Sequence, residues 1–158
     1  MSIETVSKYL RRFGREQDIL IPEVSTATVQ LAAKALGTSP AHIAKSICVY
    51  DQSGEHAILV VASGDVRLDN RKFKECFGFK PRMLKSDDVE RLTSHAPGGV
   101  CPFALPNSAH VYLDDSLRRL DHVYPACGSA NSVIRLTLPE LEKYSLALGW
   151  VDVTKLSE

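Results

Sequence analysis

Residues 46–62 read SICVYDQSGEHAILVVA, and this stretch decides the fold. Two runs rich in β-branched and other apolar residues, 46–50 and 56–62, flank a polar segment, 51–55, that contains Gly54. Apolar runs of this length around a short polar segment with glycine are typical of an antiparallel hairpin. We therefore predict two paired strands here.

Lys45 stands immediately before the first predicted strand, where a hydrophobic residue or a turn is more usual. A cation at the mouth of a buried strand requires an anion, because an unpaired charge is costly to withdraw from water. That anion belongs either to the protein or to a ligand. Taken alone, a partly exposed lysine at a strand edge is the simpler interpretation, so the role of Lys45 depends on the rest of the chain.

Helical and extended patterns surround the hairpin without a regular alternation of strand and helix. Apolar periodicity, cap residues and glycines predict helices at 3–13, 29–36, 68–77, 85–94 and 139–149, with a short helical turn from Pro40. Apolar alternation and short extended runs predict further strands at 19–24, 109–114, 122–126 and 132–138. This mixture favours an α+β fold over a doubly wound sheet.

The length and composition are those of one globular domain spanning residues 1–158, since 44% apolar residues are enough to build a core. Basic and acidic residues number 19 each, so no overall field favours a polyanionic partner. The first residues lack the basic and apolar regions of a secretion signal, and no stretch approaches the roughly 20 apolar residues of a membrane span. We expect a soluble, cytoplasmic protein.

The common catalytic and metal motifs are absent. The chain contains no G-x-S-x-G, G-x-x-x-x-G-K-[ST], G-x-G-x-x-G or H-E-x-x-H sequence. The four cysteines are isolated from one another, and the five histidines are too dispersed for a Ser-His-Asp arrangement to be argued from spacing. We predict no metal, no cofactor and no disulfide, with Cys48, Cys76 and Cys127 as small buried hydrophobes.

Two glycine-containing loops remain as candidate binding elements. The first, 97–103, reads PGGVCPF, and the second, 126–131, reads ACGSAN. Glycine allows backbone N–H groups to face a ligand at close range, so a lysine combined with such loops suggests a pocket for phosphate or ester groups. Each loop alone is also explained as a plain turn.

Taken together and in this order, these segments resemble the YbaK family, which includes free-standing aminoacyl-tRNA deacylases and the editing domain inserted in bacterial prolyl-tRNA synthetases. The resemblance covers roughly residues 20–145. The segments that carry it are LAAKALG at 31–37, IAKSI at 43–47, LVVA at 59–62, RLD at 67–69, GGVCPF at 98–103 and Gly128-Ser129.

The resemblance implies a mixed, barrel-like β-sheet flanked by helices, and hydrolysis of the ester that joins a wrong amino acid to tRNA, mainly tRNA(Pro). It also implies that Lys45 holds the phosphate near the terminal adenosine. The loop whose backbone would contact the aminoacyl group comprises Gly98, Gly99, Val100, Cys101 and Pro102. The further residues that we assign to substrate binding are Phe103, Gly128, Ser129, Thr26 and Thr28.

A local excess of positive charge suggests where tRNA binds. Segment 65–85 holds seven basic residues against three acidic ones in an otherwise neutral chain. We assign the tRNA contacts to Arg67, Arg71, Lys72 and Lys74, with a solvated helix face as the alternative. The expected partners are mischarged tRNA and prolyl-tRNA synthetase, and the sequence predicts no oligomeric state.

Three functional hypotheses follow. The first is a trans-editing deacylase that removes alanine, cysteine, serine or threonine from tRNA(Pro), with water or the substrate's own hydroxyl or thiol as the attacking group. The second is a tRNA- or synthetase-binding module that hydrolyses nothing, because a fold does not fix a function. The third is a thiol hydrolase using Cys101, for which the sequence shows no partner base. The first hypothesis requires Lys45 and residues 98–102 to meet at one cavity.

Overall fold

The computed structural model describes residues 2–26 and 28–157. Within them the helices are α1 (Ser2–Arg11), α2 (Val29–Leu36), α3 (Asn70–Phe77), α4 (Ser86–Thr93) and α5 (Leu138–Ser145). The strands are β1 (Ile43–Tyr50), β2 (Ala57–Ser63), β3 (Val66–Leu68), β4 (Ala109–Asp114), β5 (His122–Pro125), β6 (Leu136–Thr137), β7 (Trp150–Val151) and β8 (Thr154–Leu156). Short 3₁₀ turns cover Glu16–Asp18, Pro40–His42 and Asp115–Arg119. None of the helices in these ranges is long and apolar enough to cross a membrane.

β1 and β2 form the predicted antiparallel hairpin, in register along β1 from Ala44 to Tyr50. Every residue of β2 is buried, which agrees with its unbroken apolar sequence. β1 begins earlier than predicted, because Ile43 and Ala44 pair in parallel with β5. Lys45 therefore lies inside the strand, and the prediction that it precedes the strand was wrong.

The main sheet has the strand order β6-β5-β1-β2-β4-β7 and curls into a half-barrel. The β1–β2 and β5–β6 pairs are antiparallel, whereas β1–β5, β2–β4 and β4–β7 are parallel. β3 and β8 form a separate antiparallel pair. A mixed, curled sheet flanked by helices confirms the predicted α+β class.

The sheet carries hydrophobic packing on both faces, because alternate residues of a strand point to opposite sides. On one face Leu59 shares a buried cluster with Val6 and Leu10 of α1. On the other face Val60 shares a cluster with Phe73 of α3. A third cluster joins α2 to the start of β1. The strand that carries the candidate lysine is therefore held from both sides.

Three predicted boundaries differ from the structure. Within the described residues, 19–24 contributes only an isolated bridge at Leu20, and the proline that follows lacks the N–H needed to continue the pairing. The strand predicted at 132–138 is reduced to β6. α5 ends at Ser145, and Leu146, with a φ of 55°, forms the left-handed cap that the sequence assigned to Gly149.

The cysteines are less uniform than predicted. Cys127 is buried, as expected, and Cys48 is half-buried beside the core. Cys76 is exposed, so the prediction that it is buried was wrong. Within α3 the buried residue is Phe73, one helical turn before Cys76.

Candidate active site

Within residues 2–26 and 28–157, one edge of β1 has no partner strand over a short stretch. The parallel pairing with β5 ends at Ala44, and further along the same edge Val49 forms a bridge with Met83. Residues 45–47 lie between these two pairings. Alternate residues of a strand direct their backbone N–H and C=O groups to the same edge, so Ser46 directs both groups into the gap. Sequence reasoning missed this feature, which arises only from strand order.

A cavity of about 350 Å³ opens at this gap. The sequence-assigned residues that line it are Lys45, Gly98, Val100, Ser129, Thr26 and Thr28. Apolar side chains that also line it include Met83, Leu84, Val89 and Val133. The structure thus brings the candidate lysine and the first glycine loop to one cavity, as the first hypothesis requires.

The N-terminus of α2 opens onto the same cavity. Thr28 occupies the N-cap position, where its side-chain oxygen accepts a hydrogen bond from the Leu31 N–H at 3.1 Å. Thr28 and Val29 both line the cavity. First-turn N–H groups have no partner within their helix and carry the positive end of its dipole, so this end of the cavity favours an anion.

The two glycine loops are in direct backbone contact. A Cβ atom added to Gly99 would lie 2.9 Å from the Gly128 carbonyl oxygen and 3.3 Å from the Ser129 Cα. Gly98 and Gly128 both adopt positive φ, 87° and 95°, a region that other residues rarely enter. Glycine at these positions therefore shapes the cavity wall by letting two backbones meet.

The contact between the loops does not leave every amide free for a ligand. The Gly99 N–H donates a hydrogen bond to the Ala96 carbonyl at 2.9 Å, which removes it as a candidate donor. Gly98 and Val100 line the cavity on either side of it. The Ser129 hydroxyl lies 2.7 Å from the Ser132 hydroxyl, an arrangement that fixes the second loop from within.

The ammonium of Lys45 is anchored on the first residue of β3. Its Nζ donates a hydrogen bond to the Val66 carbonyl. Burial lowers the pKa of Lys45, and the nearby carboxylate of Asp65 opposes that effect. One of the three ammonium protons is used by Val66, so two others are available for an anionic ligand.

Arg119 holds the carboxylate that faces this lysine. Its guanidinium contacts both Asp65 oxygens, at 2.7 Å and 3.1 Å, and donates to the Ser63 hydroxyl at 2.6 Å. The hydrogen bond from Arg119 lowers the pKa of Asp65 to about 2. A Cβ atom on Gly64 would lie 2.1 Å from the Pro40 carbonyl oxygen, so only glycine lets this turn pack so closely. The sequence Ser63-Gly64-Asp65 is typical of a turn, but its link to the lysine was missed.

Cys101 is enclosed in the core and does not line the cavity. Its Sγ lies 3.6 Å from Nε2 of His95, a neighbour that the sequence did not reveal. That nitrogen also lies 2.8 Å from the Phe103 carbonyl, so it must carry the proton that bonds the carbonyl and cannot take one from the thiol. Burial raises the pKa of Cys101 to about 12. These features argue against a thiolate nucleophile.

The other two residues at the end of the first loop also lie away from the cavity. Pro102 lines a different cavity together with Tyr9 and Leu105. Phe103 is fully buried and stacks on Tyr9 with ring centroids 6.5 Å apart. Within the loop, Gly98 and Val100 line the candidate site, and the following residues anchor the loop in the core.

The four residues assigned to tRNA do not line the cavity. Arg67 and Lys74 are exposed, whereas Arg71 pairs with a neighbouring glutamate at 3.2 Å and Lys72 binds Asp152 at 3.0 Å. Besides Lys45, which lines the cavity, Arg82 and Lys85 are basic residues that directly flank lining residues in the sequence, Met83 and Leu84.

Comparison with known proteins places this geometry in context. Residues 23–144 match the family model of the aminoacyl-tRNA editing domain. The chain is 46% identical to the uncharacterized protein YwhH of Bacillus subtilis (strain 168) over 155 residues, 98% of each chain. The solved structure of the hypothetical protein APE2540 gives a TM-score of 0.82 at 32% identity and covers 96% of this chain and 99% of its own. A protein named "putative trans-editing enzyme for prolyl tRNA synthetase" gives 0.86 at 30% identity, with coverages of 98% and 97%.

Proposed function

This chain belongs to the aminoacyl-tRNA editing domain family, and we propose that it is a trans-acting deacylase. Its substrate is tRNA(Pro) that carries alanine, cysteine, serine or threonine in place of proline. A similar structure, 30% identical, is that of a protein named for prolyl-tRNA synthetase, which supports both this choice of tRNA and the synthetase as a partner.

The observation that carries the proposal is the composition of one cavity. Lys45 and the N-terminus of α2 supply positive charge, and Gly98 and Val100 supply backbone polar groups. Among the lining residues that the structure describes, the one thiol is that of Cys48, and burial raises its pKa to about 12, which argues against a thiolate nucleophile there. A volume of about 350 Å³ lies at the lower end for small-molecule sites and suits a small aminoacyl group better than a whole nucleotide.

The ester requires orientation more than it requires a protein nucleophile, because it is already activated. In the proposed reaction Lys45 binds the phosphate next to the terminal adenosine, and N–H groups at Gly98 and Val100 bond the carbonyl oxygen as it becomes negative. Water or the substrate's own hydroxyl or thiol attacks the carbonyl carbon. The bond from that carbon to the ribose oxygen then breaks, and the ribose oxygen takes up the proton that the attacking group loses. Attack by water releases the free amino acid directly, whereas attack by the substrate's own hydroxyl or thiol gives a cyclic ester or thioester that water then hydrolyses.

The apolar side chains of the cavity account for selection by size. Met83, Leu84 and Val89 present no charged group to an amino-acid side chain. A hydrophobic pocket distinguishes side chains that differ by one methylene by about 1–3 kcal/mol, so several small residues are expected to be accepted. The amino acid that is removed is therefore determined by the relative rates at which the different aminoacyl esters are hydrolysed.

A deacylation panel tests the proposal. It uses tRNA(Pro) charged with alanine, cysteine, serine, threonine or proline, with the wild-type protein, Lys45→Ala and the control Lys34→Ala, whose lysine is exposed on α2. We expect multiple-turnover release of at least one small amino acid, a loss of about 100-fold in Lys45→Ala, and no change in Lys34→Ala. The proposal is refuted if the wild-type protein releases no amino acid faster than Lys45→Ala does. Binding of tRNA without hydrolysis would identify a binding module.

A further inference from the structure

We propose that His42, Asp121 and His122 form a binding site for a divalent transition-metal ion of the zinc class. One possible ligand atom from each residue lies within 4.8 Å of the others. His42 ends the 3₁₀ turn before β1, and His122 begins β5. β1 and β5 run parallel from this end, so their pairing brings the two imidazoles together.

The hydrogen bonds of His42 prepare it as a metal ligand. Its Nδ1 lies 2.9 Å from the His122 carbonyl oxygen, which accepts hydrogen bonds only. Nδ1 therefore carries the ring proton, and Nε2 keeps its lone pair for a metal. Histidine ligands of metals commonly donate their second ring N–H to a carbonyl or carboxylate in this way.

Asp121 and His122 complete the ligand set. The Asp121 Oδ1 lies 2.6 Å from the His122 Nδ1, so the carboxylate adjoins this imidazole. Two imidazole nitrogens and one carboxylate oxygen form a donor set that suits zinc and similar ions.

The side chains must move before they can hold an ion. Zn–N bonds of about 2.0–2.1 Å at tetrahedral angles place ligand atoms about 3.4 Å apart, closer than the 4.8 Å limit of the cluster. The side chain of Asp121 is 88% exposed, so it has room to exchange its hydrogen bond with His122 for a bond to the ion. The rings of His42 and His122 are nearly parallel, with an interplanar angle of 22° and centroids 4.3 Å apart, so they must turn apart before one ion can lie in both ring planes. Water supplies the remaining ligand.

A bound ion would connect the N-terminal ends of β1 and β5, two strands that build the candidate active site. β1 carries Lys45, and β5 leads directly into the second glycine loop, 126–131. We predicted no metal from the sequence, because His42 and His122 are 80 residues apart. The inference does not depend on the proposed deacylase function.

Calorimetric titration of the untagged protein with ZnCl₂ tests the site. Every protein carries Cys76→Ser, because Cys76 is exposed and a thiol also binds zinc. His42→Ala removes one proposed ligand. The matched control is His56→Ala, which alters the other histidine pair, His56 and His110, whose rings meet edge to edge at 5.7 Å.

We expect one zinc ion per chain, an affinity at least ~10-fold lower in His42→Ala, and an unchanged affinity in His56→Ala. At a zinc concentration near 100 times the dissociation constant, the melting temperature should rise by about 5 °C in the control and not in His42→Ala. Asp121→Asn replaces His42→Ala in both assays if the latter does not fold. Absence of saturable 1:1 binding, or equal affinities in the ligand variant and the control, would overturn the proposal.

Discussion

A lysine half withdrawn from water loses part of its hydration, and neighbouring groups that interact with its ammonium compensate for that loss. For Lys45 that compensation comes from the Val66 carbonyl and from the carboxylate of Asp65. Arg119 in turn holds Asp65 through two contacts. The arginine thus positions the proposed phosphate-binding group without lining its cavity.

Arg119→Met should destabilise the protein in a pH-dependent manner. The pKa of Asp65 is lowered to about 2, so its contribution to stability is present above the unfolded pKa near 4 and is lost as the pH falls towards 2. We expect the variant to lose about 1 kcal/mol at pH 7, a value discounted because Arg119 is 45% exposed. Urea denaturation at pH 7, 4 and 2.5 should show that the difference in unfolding free energy between the wild type and the variant decreases between pH 4 and 2.5.

The control for Arg119 is Arg71→Met, which removes an exposed pair with Glu75. An exposed pair of this kind contributes about 0.5 kcal/mol or less. If the loss of unfolding free energy in Arg119→Met stays constant from pH 7 to 2.5, the assigned role of Asp65 is contradicted.

Cys101→Ser should retain deacylation within about threefold of the wild-type rate. The thiol is buried, its pKa is raised to about 12, and His95 offers it no free lone pair on the facing nitrogen. A packing role predicts a loss of about 1 kcal/mol in stability from burying a hydroxyl, because that hydroxyl can bond the Phe103 carbonyl only in part. Single-turnover rates and urea midpoints measure the two effects, and near-total loss of activity in a folded variant would restore the thiol mechanism.

The sequence identified some of these residues and missed others for a physical reason. Lys45 and Gly98 stand out locally, because their residue types are unusual for a strand and diagnostic of a turn. Arg119 has no local signal, because its partner Asp65 lies 54 residues away. The contact of His95 with Cys101 spans only six residues, but it depends on how the loop between them folds. A residue that acts through a distant contact is visible only after the strands are paired.

At the scale of elements, the candidate site depends on close contact between the two glycine loops. Gly99→Ala should reduce deacylation by more than about 10-fold, because its Cβ would lie 2.9 Å from the Gly128 carbonyl and displace one loop from the other. Deacylation kinetics and melting temperature should be measured together, so that a displaced loop is distinguished from an unfolded protein.

Gly149→Ala is the matched control for this prediction. A Cβ at Gly149 meets no atom within 4 Å, and its φ does not lie in the left-handed region. The control should keep its activity. An active Gly99→Ala variant would show that the loops tolerate separation and that their contact does not shape the site.

Elements were predictable where pairing and burial agree with the local pattern. The β1–β2 hairpin and the α3 helix, which begins after Asp69 and ends at Gly78, follow from local signals. β3, β7 and β8 span two or three residues each, too short for a periodic pattern. These three strands form because they pair with other strands in the folded chain, so no local sequence signal reveals them.

At the scale of the whole molecule, β8 supports the strand that anchors Lys45. β8 pairs with β3 and places Leu156 opposite Val66, the residue whose carbonyl anchors Lys45. Buried Asp114 at the end of β4 holds the segment before β8 by accepting hydrogen bonds from the Val153 N–H at 2.9 Å and the Thr154 hydroxyl at 2.6 Å. The single-domain organisation and cytoplasmic location expected from composition stay predictions.

Asp114→Ala should therefore weaken both stability and activity. It leaves a buried N–H and a buried hydroxyl without their partner, at a cost of about 3 kcal/mol, a large share of the stability of an ordinary domain. Under conditions where the variant stays folded, faster hydrogen exchange in β3 and β8 should accompany a several-fold loss of deacylation, because Val66 no longer holds the lysine firmly. The matched control, Asp115→Ala, removes an exposed carboxylate whose pair with Arg118 contributes about 0.5 kcal/mol. If Asp114→Ala loosens β3 and β8 but deacylates at the wild-type rate, the anchor at Val66 does not position the lysine, and the orientation of Lys45 must be set by β1 alone.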